Sequence, residues 1–77
     1  MKLTSDRVLR ALARFDVASV ADVGAFFGRR TPNELRRVWH QLQNLTAEGF
    51  ALRDGDHGQQ ARYSISEAGR AEIARAA

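Results

Sequence analysis

A chain of 77 residues has room for one small domain, and a domain of that size buries only about 60% of the surface its unfolded chain exposes. The absence of cysteine excludes a disulfide staple, a thiolate nucleophile and a cysteine-based zinc site. Twelve basic side chains against nine acidic ones leave a formal charge of +3, too mild to argue by itself for a nucleic-acid partner, so the placement of the charges matters more than their number.

Thr4 is placed to cap a first helix over about 5–15, with Asp6 in its first turn and Leu3 and Val8 at the two positions of a hydrophobic staple. Val8, Leu9, Leu12 and Phe15 give that helix an apolar face. Asp16-Val17-Ala18 has length for a brief extended piece only. Ser19 then caps a second helix, about 20–27, in which Val20, Val23 and Phe27 share a face with Phe26 beside it. Gly28 supplies the left-handed residue that ends it, and Arg29-Arg30 makes the turn.

The third helix is the longest, about 32–48. Thr31 and Glu34 form a capping box, and Pro32 suits the first helical position. Leu35, Val38, Leu42 and Leu45 form an apolar stripe flanked by Trp39. Two strands, about 50–53 and 61–65, enclose the turn Asp54-Gly55-Asp56-His57-Gly58. Phe50, Leu52, Tyr63 and Ile65 alternate along them and are expected to close the core from one side. Ser66 caps a last helix, about 67–76, whose one large apolar residue is Ile73.

This order predicts an α+β fold, a small winged helix: a three-helix core with a helix-turn-helix, a β-hairpin wing and a short C-terminal helix. Projected at 100° per residue, the third helix sets Asn33, Arg36, Arg37, His40 and Asn44 opposite its apolar stripe, with Gln41 and Gln43 on the flanks. Arginine can bond guanine bidentately and asparagine or glutamine can bond adenine, each good pair discriminating by roughly 1–3 kcal/mol. The expected base contacts on double-stranded DNA are therefore Asn33, Arg36, Arg37 and His40. Arg29, Arg30, Thr31, Gln41 and Arg62 are expected to hold the DNA backbone, the first three at the N-terminal mouth of the helix. The hairpin tip carries Asp54 and Asp56, offset by Arg53, His57, Gln59, Gln60 and Arg62. Backbone contact rather than deep minor-groove insertion is expected of it.

The run from Ser19-Val20-Ala21-Asp22-Val23 through Glu48-Gly49-Phe50-Ala51 to Tyr63-Ser64-Ile65-Ser66-Glu67-Ala68-Gly69-Arg70 resembles winged-helix bacterial regulators of the MarR and PadR-like groups. The resemblance covers nearly the whole chain on short, largely structural motifs. It implies that the third helix enters the major groove, which falls here on Asn33, Arg36, Arg37 and His40. It also implies a role in transcription regulation, as a bacterial or phage-type control protein. Two departures from that group are the acidic wing and the lack of the long terminal helices that build a MarR dimer.

Other chemistries have less support. Asp54, Asp56 and His57 crowd together, but an EF-hand loop would want Glu at its twelfth position, where Ile65 stands. No H-E-x-x-H, G-x-S-x-G or P-loop pattern accompanies His40 or His57. The chain is thus expected to be no enzyme and to need no cofactor or metal. Met1-Lys2-Leu3 leads into a polar helix start, and no apolar run reaches membrane-spanning length, so a cytoplasmic protein without membrane contact is expected. A DNA reader this small is expected to form a homodimer, for which Ala68, Ala71 and Ala74 offer a small-residue stripe. The alternative reading is a winged-helix protein-interaction module that does not bind DNA.

Overall fold

The caps foreseen in the sequence divide the chain. The computed structural model describes residues 3–55 and 61–76, and holds helices α1 (Ser5–Leu12), α2 (Val20–Phe26), α3 (Pro32–Ala47) and α4 (Glu67–Ala76). Strands β1 (Ala51–Asp54) and β2 (Arg62–Ile65) form one antiparallel pair between α3 and α4. Among the described residues, no helix is long and apolar enough to cross a membrane.

Each of the first three helices starts at a hydroxyl that accepts a backbone N–H otherwise lacking a partner. Thr4 caps α1 by accepting from Arg7, Ser19 caps α2 by accepting from Asp22, and Thr31 caps α3 by accepting from Glu34. In α2 and α3 the acidic side chain reaches back to the cap's own N–H, completing a capping box.

Both α2 and α3 end in the same way. Gly28 (φ 70°) and Gly49 (φ 83°) take up the left-handed conformation. The N–H groups of Gly28 and Arg29 then bond back to the carbonyls of Ala25 and Gly24, and those of Gly49 and Phe50 to Thr46 and Leu45. This double 5→2 and 6→1 pattern is a Schellman motif, which satisfies the carbonyls a helix end leaves open.

Helix α1 is shorter than its apolar spacing suggests. It ends at Leu12, and the chain tightens through i→i+3 bonds from Arg14 N to Ala11 O and from Phe15 N to Leu12 O. Phe15 thereby leaves the helical register and meets Phe26 edge-on, with ring centroids 6.2 Å apart. The other helix ends lie within one residue of expectation, at Phe26 and Ala47.

The core joins Val8, Leu9 and Leu12 of α1, Val20 and Val23 of α2, and Val38, Leu42 and Leu45 of α3 to Ala51, Ala61, Tyr63 and Ile65 of the hairpin region. Leu3, Phe27, Leu35, Trp39, Phe50 and Ile73 are partly buried around it. The brief extended piece also forms. Ala18 and Tyr63 exchange two backbone hydrogen bonds, of 2.9 and 2.7 Å, so Ala18 lines the second edge of β2 as an isolated bridge.

One expectation about the hairpin fails. The alternation of Phe50 and Leu52 put Leu52 in the core, yet it is 56% exposed. The reason is the pairing register, which sets Ala51 and Arg53, not Phe50 and Leu52, across from the inward Ile65 and Tyr63. Phe50 still belongs to the end of α3, with its N–H on the Leu45 carbonyl, so β1 starts at Ala51 and runs to Asp54. The register then pairs Ala51 with Ile65 and Arg53 with Tyr63 on the core side, and Leu52 with Ser64 and Asp54 with Arg62 on the outer side. Period-two geometry makes a one-residue shift exchange the two faces. Strand β2 likewise starts at Arg62, with Ala61 buried just ahead of it.

Ser66 closes the design. Its hydroxyl donates to the Gly49 carbonyl (2.6 Å) and accepts from the Gly69 N–H (3.0 Å), while its own N–H donates to the Phe50 carbonyl (3.0 Å). One residue thus caps α4 and ties it to the end of α3.

Candidate nucleic-acid interface

The surface singled out in the sequence is built by α2, the turn after it and α3. A cap bond fixes the turn on α2, and one close approach fixes α2 against α3. The Arg29 N–H bonds the Gly24 carbonyl at 2.8 Å, and Gly24 is so close to the Leu35 side chain that no side chain could be accommodated there without displacement. The mouth of α3 is then set by Glu34. Its carboxylate accepts from the N–H groups of Thr31 (3.0 Å) and Arg30 (3.1 Å) and from the Thr31 hydroxyl (2.9 Å), and lies 3.8 Å from the Arg29 guanidinium. The Thr31 backbone and hydroxyl, then Arg30 and Arg29, hold the Glu34 carboxyl below its ordinary value.

Beyond that mouth, Asn33, Arg36, Arg37, His40 and Asn44 are all exposed, as the helical projection requires. Glu34 turns back to the cap, so no carboxylate interrupts the strip between Asn33 and Asn44. His40 sits mid-strip with its ring edge-on to Trp39, centroids 5.1 Å apart. Trp39 is half-buried, and its indole nitrogen has no hydrogen-bond acceptor among the described residues.

The flanking glutamines are committed to neighbouring elements. Gln41, expected at the DNA backbone, is half-buried and accepts a hydrogen bond from the Ser5 hydroxyl, so its carbonyl serves the seam between α1 and α3. Gln43, on the opposite flank, accepts from the Arg53 guanidinium at 3.3 Å and so faces the hairpin. Thr31, also assigned to the backbone, spends its hydroxyl on the capping box. Arg30 is exposed beside it and Arg29 half-buried.

Arg62 is exposed on the outer face of the hairpin, directly across from Asp54. Its charge also acts on Asp22, whose carboxyl lies below its ordinary value chiefly through the Ser19 N–H and hydroxyl, with Arg62 a smaller contributor. Arg53, by contrast, is expected from the sequence only to offset the acidic hairpin tip. Its strand position faces the core, yet its side chain is exposed and reaches α3. Burial pushes the Tyr63 hydroxyl up, and Arg53 beside it pulls the other way, although among the described residues that hydroxyl makes no hydrogen bond of good geometry. A signal for this placement existed only in the register, because residue 53 comes to the inner face when it pairs with Tyr63.

Of the expected tip residues, Asp56, His57, Gln59 and Gln60 lie outside the described residues. Among the described residues, no group of three or more His, Cys, Asp or Glu is arranged to hold a metal ion. In comparisons with protein-family models and curated protein sequences, no family model and no curated protein matches this chain significantly.

Proposed function

We propose that the chain is a winged helix that binds double-stranded DNA, with α3 as the helix that enters the major groove. The observation that carries this reading is the exposed strip Asn33, Arg36, Arg37, His40 and Asn44. It is free of carboxylate and opens at a helix mouth bearing Arg29 and Arg30. Asn33, Arg36, Arg37 and His40 read base edges. Arg29 and Arg30 hold phosphates, aided by the partial positive charge of the α3 N-terminus. In this reading the protein is a small cytoplasmic transcriptional regulator or control protein of the MarR-like kind, not an enzyme. It acts as a homodimer, because one module buries little surface on DNA.

The test is a titration against a random-sequence duplex by fluorescence anisotropy at two salt concentrations. Micromolar binding that weakens steeply with salt is the expected result, since each neutralised phosphate releases counterions. Absence of binding at low salt overturns the reading.

A second reading, a protein-interaction module, draws on one observation. Phe26 is 47% exposed and Val17 54% exposed. Phe26 lies against Phe15 and Phe27, with the Arg14 guanidinium 5.8 Å from its ring centroid. A complex built on this aromatic cluster would be nearly insensitive to salt, and the same titration design distinguishes the two.

A further inference from the structure

Leu52 aside, the large apolar side chains exposed among the described residues are Phe26 and Val17. Phe26 meets Phe15 and Phe27 edge-on, with ring centroids 6.2 and 5.2 Å away. Val17 lies two residues beyond Phe15, a span of at most about 7 Å, so it adjoins the same cluster. The cluster is turned away from α3. Gly24 is the α2 residue pressed against Leu35, and Phe26 follows it by two positions, about 200° around the helix.

The rim of the cluster carries both signs of charge. The Arg14 guanidinium lies 5.8 Å from the centre of the Phe26 ring, and Asp16 stands between Phe15 and Val17 in the chain. Both are exposed, and among the described residues neither takes part in an ion pair. An acidic partner would meet Asp16, and a basic one would meet Arg14. A second copy answers both, because a two-fold axis sets the patch against itself and lets Arg14 of each protomer face Asp16 of the other.

We propose that the cluster of Phe15, Val17, Phe26 and Phe27 is the contact between two copies of this chain, with Phe26 as its anchor and Arg14–Asp16 pairs at its rim. This rests on the homodimer of the DNA reading and names the surface that forms it. An aromatic anchor ringed by polar groups is the composition of a protein contact, and charges on the rim set its register. Pairing here leaves α3 of each protomer open to the duplex. It also assigns the dimer to the corner between α1 and α2, not to the alanines of α4.

Sedimentation equilibrium measures the dimer Kd of wild type, Phe26→Ser, Arg14→Asp, Asp16→Arg, the double variant Arg14→Asp with Asp16→Arg, and Ala71→Gln. Circular dichroism confirms that each is folded. Phe26→Ser should raise Kd at least about 30-fold, as loss of a central aromatic anchor does. Each single charge reversal sets like charges against each other across the axis and should raise Kd at least about fivefold. The double reversal restores opposite signs and should bring Kd back to within about twofold of wild type. Ala71→Gln, in the α4 stripe, should leave Kd unchanged. A wild type that stays monomeric into the millimolar range overturns the assignment. So does a Phe26→Ser dimer as tight as wild type, a double reversal that fails to recover, or a dimer broken by Ala71→Gln. The wild type is titrated in parallel with the random-sequence duplex. A dimer that binds no DNA at low salt overturns the DNA reading and leaves this contact standing. A monomer that binds DNA with steep salt dependence does the reverse.

Discussion

The Leu35 side chain lies against Gly24 so closely that a Cβ built on the glycine would fall 2.5 Å from Leu35 Cδ2 and 2.8 Å from the Arg29 carbonyl oxygen. The first neighbour is a side chain that can turn aside, but the second is backbone in the turn between α2 and α3.

Gly24→Ala therefore sets two effects against each other. Alanine is the better helix former by about 1 kcal/mol, whereas overpacking a tight contact costs about 1–3 kcal/mol. Because part of the clash is with backbone, overpacking wins. Urea unfolding should show a net loss of up to about 2 kcal/mol. A stabilised variant would mean that the turn yields freely.

The hairpin register makes a sharper prediction. Leu52 is exposed, so Leu52→Lys should change stability by no more than about 0.5 kcal/mol. Leu42→Ala, at a fully buried position of α3, should cost about 2–5 kcal/mol. Comparable losses for the two variants in denaturant titrations would restore Leu52 to the core and displace the register.

Acid should weaken the fold through the capping boxes. The Asp22 and Glu34 carboxyls lie below their ordinary values of 3.8 and 4.5, because both accept hydrogen bonds in the folded chain. A carboxyl with a lowered folded pKa contributes its full stability above the unfolded value and loses it as pH falls toward the folded one. Melting temperature should thus hold steady down to about pH 5 and fall below about 4.5. The double variant Asp22→Asn, Glu34→Gln should start lower and fall less across that interval. Identical pH profiles would remove the boxes from the account. Separately, Ser19→Ala should cost about 1 kcal/mol by removing one cap.

On the DNA reading, Arg36→Ala should weaken specific binding more than non-specific binding, whereas Arg30→Ala should weaken both about equally. A competition assay against random duplex measures each ratio. Equal ratios for the two variants would dissolve the division between base reading and phosphate holding.

Most of the helical skeleton was legible because its signals are local. Thr4, Ser19, Thr31 and Ser66 each cap the helix that the sequence assigned to them, and Gly28 and Gly49 take the left-handed conformation at the ends of α2 and α3. The exposed strip on α3 was equally legible, since helical periodicity and one apolar stripe fix which residues face outward. What escaped were the points where the chain changes state. Phe15 continues the apolar spacing of α1, but the backbone leaves the helix before reaching it. Leu52 faces inward only in a register that sets it across from Tyr63 or Ile65, and the actual pairing sets it opposite Ser64. Gln41 and Gln43 look equivalent on a projection. Their different fates, one toward Ser5 and the other toward Arg53, depend on neighbours distant in sequence.

The three hydrogen bonds at Ser66 fasten both feet of the hairpin to the same spot, the junction of α3 and α4. Strand β2 is held a second time by the two backbone bonds between Tyr63 and Ala18, and the Tyr63 side chain is buried in the core. The base of the hairpin therefore keeps a fixed place beside α3, pinned at its two ends by Ser66 and along β2 by Ala18.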